Sequence, residues 1–194
     1  LYRGGRLNSD GSGRNYLTDK DKEICKNRLN ITCEIDMRKS DEMYNPSESV
    51  SSFGTHATYR KMPMDEGYRG GFAVNSYLKT TAKSIIETIM QNAVNGVVTY
   101  FHCVSGADRT GTVATILLGV LGVSQVDIDI DYELTSFTIF EPLMRKRYDA
   151  SGYGAAYYDW KNYIHGLGGS NPYIIWCQQI GISTALINSF RTAM

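Results

Sequence analysis

The sequence predicts an α/β fold in which early strands alternate with helices around a central sheet and the C-terminal half is mostly helical. Three observations lead there. In residues 31 to 37, Ile31, Cys33, Ile35 and Met37 alternate with Thr32, Glu34 and Asp36, the period of a strand. From Val74 to Ala93 the apolar residues fall at 74, 77, 78, 82, 85, 86, 89, 90 and 93, one face of a helix. Val97 to Phe101 is a β-branched and aromatic run that passes through a short loop into a second helical pattern at Val113, Ile116, Leu117, Val120 and Leu121. With 194 residues, 42% of them hydrophobic, the chain is expected to form one domain over 1–194 with a core of its own.

The remaining elements follow in order. Gly, Asn and Ser over residues 4 to 15 read as loop, and Thr18 with Asp21 makes a capping box that opens a helix over residues 19–28. Asp36 and Arg38, at the end of the first strand, are expected to pair. Residues 40 to 56, with Pro46, Gly54 and several serines, read as a loop or lid. Ala57 to Met64 returns to a strand pattern closed by Pro63, and Asp65 opens the next loop. Asn95 and Gly96 end the long helix. Residues 125 to 134 (QVDIDIDYEL) alternate strictly, yet Ser124 and Asp127 make a helix start and Val126, Ile130 and Leu134 share a helical face, so a helix is preferred. The stretch 148 to 173, rich in Tyr, Gly and Asn, suits an irregular or lid-forming surface more than a core element. Asn171 and Pro172 begin another helix, with Pro at its first position, and Gly181 separates it from a terminal helix carrying Leu186, Ile187 and Phe190.

Charge and cysteine usage narrow the function classes. Lys plus Arg and Asp plus Glu both total 20, a net charge of zero. Without a polybasic stretch, neither nucleic acid nor an anionic membrane is an expected partner. The longest strongly apolar run, Ile116 to Val123, is well short of the roughly 18 residues of a membrane span. Cys25, Cys33, Cys103 and Cys177 are too scattered for a disulfide framework, and Cys25, Cys33 and Cys177 read as small buried residues. His56 and His165 lack partners at metal spacing and read as surface residues. The run Asp127, Asp129, Asp131 lacks the Gly and distal Glu of a calcium loop and reads as a solvated helix face. No metal and no cofactor is expected.

Residues His102 to Gly111 read HCVSGADRTG, whose core is a cysteine and an arginine separated by five residues. Between a strand and a helix, a loop of this length can turn successive backbone N–H groups inward while the following helix adds its positive end, which makes an anion cradle. Val104, Ser105, Gly106, Ala107, Asp108 and Arg109 are its expected phosphate-binding positions. The same field favours the thiolate of Cys103, the nucleophilic form. Arg109 offers a planar fork for two phosphate oxygens. Gly106 lets the loop turn without a side chain in the bowl, Thr110 can offer a hydroxyl to the cysteine sulfur as it leaves, and His102 is expected to buttress the loop by hydrogen bonding.

On these residues the chain resembles the protein tyrosine phosphatase superfamily, whose motif HCxxGxxRTG is matched in full at 102 to 111. Through LYRGGRL at 1 to 7, LTDKD at 17 to 21, EIDMR at 34 to 38 and DYELTS at 131 to 136 it is similar to the bacterial tyrosine-protein phosphatase branch that includes the secreted mycobacterial phosphatase B. The resemblance implies a twisted sheet flanked by helices, the cysteine-phosphatase fold, and hydrolysis through a phosphocysteine without a metal. It also implies that Asp108 serves as general acid. Asp65, 38 residues before Cys103 in a loop after a strand, lies near the position of the wider superfamily's mobile acid loop and is the alternative. The branch carries a segment like FRDLGG before LYRGG, so an N-terminal strand is expected upstream of residue 1. Many members have Lys where this chain has Ala107, a lost cation that weighs against phosphoinositides.

The expected substrate is therefore a phosphorylated protein, with a small phosphate ester or a phosphoinositide as alternatives. A catalytically silent phosphate-binding module is a second class, opposed by the intact Cys103 and Arg109. Thiol enzymes such as arsenate reductases or sulfurtransferases form a third, opposed by the lack of a second cysteine close in sequence. A thiol that must stay reduced favours the cytoplasm, although some secreted bacterial phosphatases manage without that protection. Location and oligomeric state stay open at this level.

Overall fold

Four strands, β1 (Tyr2–Gly4), β2 (Cys33–Asp36), β3 (Thr58–Lys61) and β4 (Thr99–His102), lie in the order β1-β4-β2-β3 and pair in parallel throughout. The computed structural model describes residues 1–7, 17–65, 67, 76–134 and 152–194. Gly4 and Asp36 both sit opposite His102, so three strands end level around the point where the chain leaves β4. In open parallel sheets that carboxyl edge is where ligands bind.

Seven α-helices accompany the sheet among the described residues: α1 (Asp19–Asn27), α2 (Ser76–Val94), α3 (Arg109–Leu121), α4 (Gln125–Leu134), α5 (Gly152–Gly166), α6 (Pro172–Gln179) and α7 (Thr184–Ala193). The capping box at Thr18 is present in both directions, with the Asp21 amide donating to Thr18 Oγ1 at 3.2 Å and the Thr18 amide to Asp21 at 2.9 Å. Asn171 caps α6 ahead of Pro172. None of these helices is long and apolar enough to cross a membrane.

The main core lies on one face of the sheet, where Cys33, Ile35 and Phe101 meet Ile85, Ile86 and Ile89 of α2, Val113, Ile116 and Val120 of α3, and Trp176, Ile187 and Phe190 beyond. A fully buried Ile or Phe contributes about 1.5–3 kcal/mol, so this layer holds the strand–loop–helix unit in place. Ile31, Phe53 and Ala57 form a smaller cluster with Val98 and Tyr100, which alternation along β4 turns away from Phe101.

Several sequence expectations change. Tyr2–Gly4 is a strand, where only loop was read from Gly4 onward; at three residues it is too short to show a period. Part of the 148–173 stretch is the helix α5, with Tyr157, Trp160 and Ile164 in the core at helical spacing, so its composition misled. Residues 148–151 lie outside the described residues, as do 74 and 75 of the predicted long helix. On α4 the solvated acidic face is not uniform. Asp129 is 5% exposed and accepts from Tyr157, Gln125 and Lys161, while Asp131 pairs with Arg3 at 2.6 Å. Val126, Ile130 and Leu134 face outward instead. Cys33 and Cys177 are buried as expected, but Cys25 is half-buried at the edge of the smaller cluster. His165 is exposed and bonds Gln125, whereas His56 is half-buried.

Candidate active site

Cys103 follows β4 directly, and Arg109 is the first residue of α3, so sheet and helix fix the two ends of the 103–108 loop. Its curvature depends on Gly106, whose φ of +74° is a conformation that suits glycine. A Cβ at that position would lie 2.5 Å from the carbonyl carbon of Gly4 and 2.7 Å from the Gly5 amide. The end of β1 thus packs against the loop, and the Arg6 amide donates to the Val104 carbonyl at 3.0 Å. Asp108 occupies the N-cap position of α3 without a side-chain capping bond, so it does not close the first-turn amides.

Cys103 is 2% exposed. The Arg109 guanidinium is gripped along one side. Nη1 donates to Glu42 Oε2 at 2.5 Å and to the carbonyls of Met64 at 3.2 Å and Met37 at 3.3 Å, while Nη2 donates to Glu42 Oε1 at 2.7 Å. A guanidinium has five N–H groups, so its Nε edge, shared with the outer hydrogen of Nη2, has no partner among the described residues. That edge is a two-pronged donor matched to two oxygens of a phosphate. Burial would lower the Arg109 pKa, but the Glu42 bond and the Cys103 charge outweigh it and raise it. Glu42 moves oppositely: burial raises it, and the bonds from Arg109 and the Lys39 amide bring it below the usual carboxylate range.

His102 is wholly buried, with Nε2 2.9 Å from Glu34 Oε1 and Nδ1 3.1 Å from the Cys103 carbonyl. Glu34 in turn accepts from Ser51 Oγ, the Ser52 amide and Ser52 Oγ, tying the 51–52 segment to β2, the neighbour of the strand that leads into the loop. Asp36 accepts from the amide and guanidinium of Arg38 and from Tyr59, the ion pair anticipated from the sequence. Thr110 Oγ1 is buried and has no hydrogen-bond partner among the described residues, the Cys103 sulfur included.

Asp108 is half-buried and Asp65 is exposed. Their loops meet: the Met64 carbonyl before Asp65 rests on Arg109, and a Cβ on Gly67 would come within 2.6 Å of the Asp108 carbonyl carbon. The two segments that carry these acids therefore meet beside Arg109. Glu42 and Glu34 are the residues that sequence reasoning missed. Glu42 lies in a stretch read only as a loop or lid, and Glu34 was one polar position in a strand pattern. Among the described residues no cluster of three or more His, Cys, Asp or Glu could hold a metal.

A thiol and a guanidinium thus stand at the two ends of a glycine-turned loop on the carboxyl edge of a parallel sheet, the edge at which open α/β sheets bind ligands. The model of the tyrosine phosphatase family matches residues 1–166, and the chain belongs to that family. A protein of Cupriavidus necator named "putative tyrosine-protein phosphatase" is 49% identical over 43 residues, which is 22% of this chain and 16% of that protein.

Proposed function

We propose that this protein is a cysteine-dependent phosphomonoester hydrolase that acts on phosphotyrosine-like esters. The reading is carried by one observation above all: the guanidinium of Arg109 is pinned by Glu42, Met37 and Met64, leaving its Nε–Nη2 edge for an anion beside Cys103. The motif resemblance to the bacterial branch that includes the mycobacterial phosphatase B supports the same reading.

In the proposed reaction the Cys103 thiolate attacks phosphorus in line with the leaving oxygen, so an S–P bond forms as the P–O bond breaks. The leaving oxygen takes a proton from Asp108, or alternatively from Asp65. Arg109 and the loop amides of residues 104 to 109 hold the three equatorial oxygens as their charge redistributes. Water then attacks the phosphocysteine, giving inorganic phosphate, a proton returned to the acid, and the free thiolate. In this reading Thr110, whose hydroxyl has no hydrogen-bond partner among the described residues, donates to the departing sulfur. His102, held by Glu34, supports the Cys103 carbonyl from behind.

Hydrolysis of p-nitrophenyl phosphate tests the reading. Cys103→Ser is expected to abolish turnover, because a neutral alcohol is a poor nucleophile for this attack. Arg109→Lys is also expected to fail, since an ammonium cannot reproduce the fork. A Ser variant that kept a tenth of the rate would rule out the thiolate mechanism, and near-normal catalysis by the Lys variant would rule out the clamp.

A further inference from the structure

Two carbonyls of the 103–108 loop are held by the chain at and just after β1. Val104 accepts from the Arg6 amide at 3.0 Å, and Gly106 accepts from Arg3 Nη1 at 3.5 Å. A trans peptide points its C=O and the next N–H in opposite directions, so whatever holds the carbonyl also aims the amide behind it. We infer that Arg3 is a positioning residue of the anion cradle: anchored by Asp131, its guanidinium holds the Gly106 carbonyl and thereby aims the Ala107 amide at the bound anion. The inference rests on the hydrolase reading above and adds to it a residue that shapes the loop without touching the substrate.

Arg3 lies opposite Phe101 of β4, and the two line one small cavity with Ala114 and Leu117 of α3. The guanidinium spans from the loop to α4, where Nη2 donates to Asp131 Oδ1 at 2.6 Å. At 3.5 Å the bond to Gly106 is long, and a guanidinium free to rotate would not hold a carbonyl at that distance. Asp131 supplies the short charged bond that fixes it. Because the pair carries no net charge, it contributes the orientation and polarisation of one peptide and not a general positive field.

The state of the Ala107 amide points to a ligand independently. Ala107 is 1% exposed, and its amide has no hydrogen-bond partner among the described residues. Buried backbone donors are nearly always paired, and an anion in the loop would pair this one. Close packing keeps the peptide where Arg3 holds it: a Cβ on Gly106 would lie 2.7 Å from the Gly4 carbonyl oxygen, so the loop rests directly on the end of β1.

Amide NMR spectra of isotope-labelled Cys103→Ser protein, titrated with inorganic phosphate, read the loop amides one by one and without turnover. The Ser105 and Ala107 signals are both expected to shift as phosphate binds. Adding Arg3→Met, which keeps the apolar stem, should collapse the Ala107 shift, spare that of Ser105, which the Arg6 amide still holds, and weaken phosphate binding by about 10-fold, the loss of one hydrogen bond to a charged group. Asp131→Asn should give a smaller loss of the same pattern, and none on top of Arg3→Met, since the two act as one unit. An unchanged Ala107 shift in Arg3→Met overturns the inference and leaves the pair as a staple between β1 and α4. A loss that Ser105 shares equally also overturns it, because that reports a generally loosened loop. Should Arg3→Met not fold, Asp131→Asn decides by the same two signals. Failure of the parent protein to bind phosphate would sink both readings, whereas absence of wild-type turnover with the Arg3-dependent shift intact would sink the hydrolase reading alone.

Discussion

At the residue scale the most informative contact is the two-point bond between Glu42 and Arg109. A long cationic side chain near an anion site has many rotamers, and each one that points elsewhere lowers the effective concentration of the clamp. Glu42 and the carbonyls of Met37 and Met64 hold one orientation, at 2.5 to 3.3 Å. Glu42 acts through Arg109 and is a positioning residue in the proposed mechanism. Glu42→Gln keeps the shape but loses the charge, and hydrogen bonds to charged groups are worth about 1.5–3 kcal/mol. We expect kcat/KM for p-nitrophenyl phosphate to fall by about 10-fold or more, with the fold retained by circular dichroism. Unchanged kinetics would mean that the two backbone carbonyls suffice to aim the guanidinium.

At the scale of elements, two loops compete to supply the proton. The 103–108 loop carries Asp108 at the start of α3, and the loop after β3 carries Asp65 between two points of contact with the cradle, the Met64 carbonyl and Gly67. A general acid contributes about 10²–10⁴-fold and matters little when the leaving group is already good. Asp108→Asn is therefore expected to slow phosphotyrosine hydrolysis by about that factor, to spare a strongly activated aryl ester, and to remove the basic limb of the pH–rate profile. If Asp65→Asn produces that pattern and Asp108→Asn does not, the loop after β3 supplies the acid.

At the scale of the whole molecule, β2 is the joint between stability and site. All four of its residues are buried, and its polar positions, Glu34 and Asp36, face a charged layer instead of water. Burial raises the pKa of Glu34, but the bond and charge of His102, with Ser51 and Ser52, outweigh it and hold the carboxyl below its usual range. Asp36 is likewise raised by burial and lowered further by Arg38 and His102. A carboxylate whose pKa is lower folded than unfolded contributes stability that is complete above the unfolded value, about 4, and lost as pH falls through the folded one. Denaturant midpoints are therefore expected to decline below about pH 4, and Glu34→Gln should flatten part of that decline while lowering the midpoint at neutral pH. An acid limb of the same steepness in both proteins would remove Glu34 from the account.

The amino-acid sequence by itself determined the strand–loop–helix at 97–121, the identities of Cys103 and Arg109 within it, the long helix α2 and the ends of α1 and α6. These are local: a period, a cap or a seven-residue spacing is complete within a few turns of chain. The helix over 125–134 was legible from its start signal, but which face it buries was not, because Asp129 goes inward only where Tyr157 and Lys161 meet it. The pairing of β1 with β4, the grip of Glu42 on Arg109 and the seat of Glu34 against His102 join residues 67 to 98 positions apart. Only tertiary structure decided them, since long-range contacts depend on how strands order in the sheet, and no local pattern encodes that order.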